Sequence, residues 1–142
     1  MPSATQPFRV AIIGGGIGGL CTALSIHKHC GSSVSLDVYE QAPQYKEIGA
    51  GVGIGANAVK ILHKIGVGEE AAKIAGYRNG YWIQFRKFDN GSEVADVPAA
   101  ETGYQNYPVH RAEFLDVLKS AVQERGVAEL HTDKKCRKLT VS

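Results

Sequence analysis

Three glycines in the order Gly14-x-Gly16-x-x-Gly19, followed 21 residues later by the acid Glu40, are the residues of this chain whose types and spacing can do recognisable chemistry. A loop bare of side chains lets another molecule touch main-chain N–H groups. A helix that starts on such a loop adds its unpaired amides and the positive end of its dipole, so a phosphate is the ligand it suits. In this pattern the first glycine makes a tight turn, the second opens a path to a pyrophosphate, and the third lets helix and strand pack closely. A carboxylate at the end of the next strand can accept both hydroxyls of a ribose and repels a 2′-phosphate, which leaves FAD or NAD rather than NADP at this site. A P-loop is excluded, because Leu20 stands where the Gly-Lys pair would have to follow.

The elements that must position these groups can be read around them. Residues 8–13 contain β-branched residues and show no alternation, the pattern of a parallel strand covered on both faces. From Ile17 the apolar residues Leu20, Cys21 and Leu24 recur at helical spacing, and Gly31 marks the stop. Val34, Leu36 and Val38 then alternate with polar neighbours in a second strand that ends at Glu40. Strand, helix and strand within 40 residues form a right-handed βαβ unit of parallel sheet.

Further along, "EIGAGVGIGANAVKILHKIG" (47–66) reads as a second glycine turn feeding a helix over 58–65, with Asn57 as N-cap and Gly66 as stop. Residues 68–75 add a helical turn or two. "YWIQFRKF", Asp89-Asn90-Gly91 and "EVADV" predict an antiparallel hairpin, and 98–107 a loop. Residues 111–125 place Phe114, Leu115, Leu118, Ala121 and Val122 on one helical face and stop at Gly126. A third parallel strand is expected over 127–131, with one more beginning over 137–141.

At 142 residues the chain has the size of one domain. Its composition, 44% hydrophobic and 21% charged, is that of a globular protein. A net charge of +2 argues against a nucleic-acid partner, and the basic run Lys134, Lys135, Arg137 and Lys138 reads as a solvated edge. No stretch has the ~20 apolar residues of a membrane span, and the N-terminus lacks the features of a signal peptide. A cytoplasmic protein is expected, in keeping with three cysteines, Cys21, Cys30 and Cys136, that form no CxxC pair. No metal site is expected, since His27, His29 and Cys30 have no second ligand pair at finger spacing.

Taken together, "GGGIGGLCTAL", Glu40, "EIGAGVGIGANAVKILHKIG" and "YPVHRAEFLDVL" resemble the N-terminal part of the FAD-dependent aromatic hydroxylases, in particular the salicylate hydroxylase-like flavoprotein monooxygenases. The resemblance covers about residues 8–130. It implies an α/β fold: a Rossmann-like FAD-binding βαβ domain with a parallel sheet and an inserted antiparallel hairpin, C-terminally truncated relative to the family. Residues 1–142 would form a partial FAD-binding domain, Rossmann-like over 8–76 and 108–142, with the hairpin and loop inserted at 77–107.

By the same resemblance, Gly14, Gly16 and Gly19 would hold the FAD pyrophosphate and Glu40 the adenosine ribose. Ala50, Gly51, Val52 and Gly53 would lie beside the isoalloxazine, and Arg111 would contact the ribityl and phosphate portion. Gly51 and Gly53 would leave room for a flat ring against the main chain, and Arg111 can fork toward phosphate oxygens. In such enzymes NADH or NADPH reduces the flavin, which then activates dioxygen to hydroxylate a small aromatic substrate. The family runs to roughly three times this length and carries downstream flavin-binding elements with no counterpart here. No catalytic residue is therefore assigned, independent activity of the 142-residue chain stays open, and a complementing chain is a possible partner. Two rivals stand beside this reading: a non-catalytic nucleotide-binding remnant or subunit, and an NAD-dependent dehydrogenase fragment.

Overall fold

The computed structural model describes residues 7–45, 50–76, 80–99 and 103–140. They fall into two units, one comprising residues 1–48 and 112–142 and the other 49–111.

The first unit contains the parallel sheet. Strand β1 (Phe8–Ile13) leads through the glycine turn into helix α1 (Ile17–Cys30), and a short 3-10 turn brings the chain to β2 (Val34–Tyr39). β1 pairs with β2 in parallel, Ile12 opposite Val38, and β2 pairs on its other side with β7 (Glu129–His131), Asp37 opposite Glu129. Helix α1 buries Leu20, Ala23 and Leu24, which recur at the i, i+3, i+4 spacing of one face. It stops at Gly31, whose φ of 54° is the left-handed conformation that glycine adopts without strain. Helix α4 (Arg111–Glu124) enters this unit after its first residue and buries Phe114, Leu115, Leu118, Ala121 and Val122, the stripe anticipated from spacing. Leu118 is wholly buried; truncating such a leucine to alanine costs about 2–5 kcal/mol.

Side chains also join β2 to β7. His131 Nε2 lies 2.8 Å from Asp37 Oδ1, the His131 ring stacks on Tyr39 at 4.7 Å, and Arg9 reaches Asp37 at 3.6 Å. The hydrogen bond from His131, helped by the positive charge of Arg9, holds the Asp37 carboxyl below the usual aspartate range.

In the second unit β3 (Gly51–Ile54) pairs antiparallel with β6 (Tyr107–His110), and β4 (Tyr81–Arg86) with β5 (Glu93–Pro98). Helices α2 (Ala56–Lys64) and α3 (Gly68–Lys73) pack on each other: the His63 ring lies against Gly68, where a side chain would collide with it. His63 Nε2 meets Tyr107 Oη at 3.2 Å, linking α2 to β6. The hairpin turns through Gly91 at φ 68° and leaves Ile83, Phe85, Phe88 and Val94 exposed.

Four expectations are corrected. β1 is not covered on both faces, since Phe8 is 73% and Ile13 54% exposed; it also sits at a sheet edge, with β2 as its one neighbour among the described residues. Gly51–Ile54 is a strand rather than a turn, and its partner β6 lies at the end of what reads as a loop. Helix α2 starts at Ala56 with Gly55 as N-cap, and Asn57 lies inside its first turn. The cap comes from 50 residues away, where Asn106 Oδ1 accepts the Ala56 N–H at 2.6 Å, so no local signal marks it. Residues 137–140 form no strand; 141 lies outside the described residues. No helix among the described residues is long and apolar enough to cross a membrane.

Candidate functional site

At the turn between β1 and α1 the three fingerprint glycines meet different demands. Gly14 has φ 106°, which closes the turn, and its N–H donates to the Tyr39 carbonyl at 2.8 Å. Gly19 faces the strand: a Cβ there would run into the Gly14 carbonyl oxygen and crowd Ile12. Gly16 faces open space, with nothing within 4 Å of where its Cβ would be. Only at Gly16 does the protein itself impose no need for glycine. A bare residue that nothing in the fold requires, directly before the N-terminus of a 14-residue helix, suits the approach of an anion.

Glu40 closes the other side of the turn. Its Oε2 accepts the Gly15 N–H at 2.8 Å and its Oε1 the Ala42 N–H at 2.8 Å. Each carboxylate oxygen has a further lone pair, so the group can still accept a diol. Tyr45 also belongs to this cluster. Its ring lies against Gly15, where a Cβ would come within 2.5 Å of Tyr45 Oη, and the hydroxyl is buried with no hydrogen-bond partner among the described residues. Burial, and then the negative charge of Glu40, raise the Tyr45 pKa, so the phenol stays a proton donor.

A cavity of about 270 Å³ opens beside Glu40, walled by Ile13, Gly14, Tyr39 and residues Lys134 to Cys136, and a larger one of about 490 Å³ shares most of those walls. Backbone bonds from Lys134 N to Glu40 O and from Asp133 N to Ala42 O, at 2.9 and 3.0 Å, hold this segment in place. Lys134 and Lys135 of the basic run therefore line a cavity next to Glu40 while the whole run stays exposed, as a solvated edge would. Tyr45 had no signal in the sequence.

The structure thus brings Gly14, Gly16, Gly19 and Glu40 together. They fit the ADP half of a dinucleotide: a cradle that a Cβ at position 16 would narrow, free helix amides for phosphate, and a carboxylate for the ribose.

Ala50, Gly51, Val52, Gly53 and Arg111 cluster separately, within the second unit. The Arg111 N–H donates to the Ala50 carbonyl at 2.9 Å, continuing the β3–β6 ladder in which Gly51 faces His110. Gly51 is open on its Cβ side. At Gly53 the expected room is taken, because the Trp82 indole lies where a Cβ would be, 2.5 Å from the nearest ring carbon. The flat ring that Gly53 accommodates here is the protein's own.

Over most of its length the chain matches salicylate hydroxylase and related aromatic monooxygenases. No family model matches the chain. It is 38% identical over 132 residues to a salicylate hydroxylase of Pseudomonas putida, covering 89% of this chain and 29% of that protein. Against a 6-hydroxynicotinate 3-monooxygenase of Pseudomonas fluorescens the identity is 32% over 129 residues, covering 87% and 32%. The chain therefore spans about a third of the length of the relatives it matches. Among solved structures, 2-methyl-3-hydroxypyridine-5-carboxylic acid oxygenase in its tetrameric form superposes with a TM-score of 0.74 at 19% identity, over 91% of this chain and 32% of the other. The flavin-dependent monooxygenase PieE, solved with FAD and substrate, superposes with 0.72 at 19% identity, over 91% and 24%. These two share the fold. The resemblance carried by the motifs holds over most of the chain.

Proposed function

We propose that this chain is the FAD-binding portion of an NAD(P)H-dependent flavoprotein monooxygenase that hydroxylates an aromatic acid or phenol. The observation that carries this reading is the turn itself: Glu40 accepts the Gly15 N–H at 2.8 Å while Gly16 beside it is bare and open. Gly14, Gly16 and Gly19 receive the pyrophosphate, and Glu40 takes the adenosine ribose. Ala50 to Gly53 lie toward the isoalloxazine, and Arg111 toward the ribityl and phosphate portion. Residues 8–76 and 108–142 act as the Rossmann-like part and 77–107 as an insertion.

When bound, FAD supplies the redox chemistry, passing electrons from NADH or NADPH to dioxygen. What these residues contribute is binding and orientation: amides and a helix N-terminus for negative charge, and a carboxylate for hydroxyls. The names of the relatives, salicylate hydroxylase and 6-hydroxynicotinate 3-monooxygenase, support a small hydroxylated aromatic acid as substrate. Exposed Ile83, Phe85 and Val94 on the hairpin support a further covering surface, supplied by a complementing chain.

The test is to add FAD, then separately NAD, to the purified chain, desalt, and record the visible spectrum. Flavin absorbance that stays with the protein is the expected result. Uptake of NAD without flavin would favour a dehydrogenase, and binding of neither would contradict the proposal.

A further inference from the structure

Tyr45 follows Glu40 by five residues and folds back over the glycine turn. A Cβ at position 15 would lie 2.5 Å from its hydroxyl oxygen and 2.7 Å from its Cε1, so the ring rests on the face of the turn that only a glycine leaves free. Beside it both Glu40 oxygens have partners: Oε2 accepts from the Gly15 N–H and Oε1 from the Ala42 N–H. The Tyr45 hydroxyl stands apart, buried and without a partner among the described residues. Buried hydroxyls in folded proteins nearly always have an acceptor, so one without calls for an explanation.

We propose that the Tyr45 hydroxyl is a nucleotide-binding group that donates its proton to a pyrophosphate oxygen of the cofactor; this rests on the FAD-binding reading above. Tyr45 shares with Gly15, Gly16, Glu40, Ala42 and Leu115 a cavity of about 100 Å³. It has room for phosphate oxygens. Phosphate oxygens only accept hydrogen bonds at this position, so they need donors, and a phenol kept protonated by burial and by Glu40 is one. The fold gains little from the hydroxyl itself, whose packing role a phenylalanine ring would fill.

The test compares the full chain with its Tyr45→Phe variant in two measurements: titration with FAD and with ADP, and the melting temperature without ligand. The expected result is that the variant binds FAD and ADP about tenfold more weakly, because both carry the pyrophosphate, and melts no lower than the parent. Equal affinities in the two proteins would overturn the proposal. So would weaker binding accompanied by a lowered melting temperature, since Tyr45 would then act through packing. A loss confined to FAD would overturn the pyrophosphate assignment. If the parent chain itself binds no FAD, the failure belongs to the cofactor reading on which this proposal rests.

Discussion

The Gly15 amide and the Glu40 carboxylate, 25 residues apart, are joined by a hydrogen bond of 2.8 Å. The acid proposed for the ribose is thus already part of the turn's own structure, holding the start of α1 against the end of β2. Removing its charge acts on both the fold and the ligand. Glu40→Gln turns one acceptor into a donor facing a backbone N–H and is expected to cost about 1–3 kcal/mol of stability. It should also weaken FAD binding tenfold or more. Urea unfolding and flavin fluorescence titration check the two effects separately.

Gly16 and Gly19 should respond in opposite ways. Gly19→Ala forces a methyl group against the Gly14 carbonyl and is expected to destabilise the chain by about 1–3 kcal/mol. Gly16→Ala meets no atom, and the backbone there has φ −71°, which alanine adopts readily, so stability should hold or rise by a few tenths of a kcal/mol. FAD affinity should nonetheless fall at least tenfold in that variant. Thermal melts beside FAD titrations of the two proteins decide the matter.

Acid should loosen the pairing of β2 with β7. The folded-state pKa of Asp37 is depressed by the His131 hydrogen bond and by Arg9, so its contribution is fully present above the ordinary aspartate value of 3.8 and is lost as pH falls through the lower folded value. Asp37→Asn is expected to flatten the stability profile in that window. Melting temperatures of both proteins from pH 5 down to about pH 2 measure it.

The cysteines should differ in reactivity. Burial raises the Cys21 thiol to about 11, while Cys30 and Cys136 are exposed. Iodoacetamide at neutral pH should therefore label Cys30 and Cys136 in the native chain and reach Cys21 only after denaturation, as read by peptide mass spectrometry.

Local chemistry made the βαβ unit legible: apolar residues at strand and helix spacing, glycines at the turn, and Gly31 as a stop all act within a few residues of themselves. Distance in the chain hid other features. Asn106 caps α2 from 50 residues away, β6 takes its strand conformation by pairing with the glycine-rich β3, and the exposed side chains of β1 depend on what packs over its faces. The same holds for the site. The glycines and Glu40 follow a known spacing, whereas Tyr45, Lys134 and Lys135 reach it through loop geometry that no local pattern records.

The most direct measurement is an amide ¹H–¹⁵N spectrum of the labelled chain during titration with FAD. Saturable shifts centred on Gly14, Gly15, Gly16 and Glu40 are the expected result. Flavin binding that leaves those four amides unmoved, or no binding at all, would contradict the account.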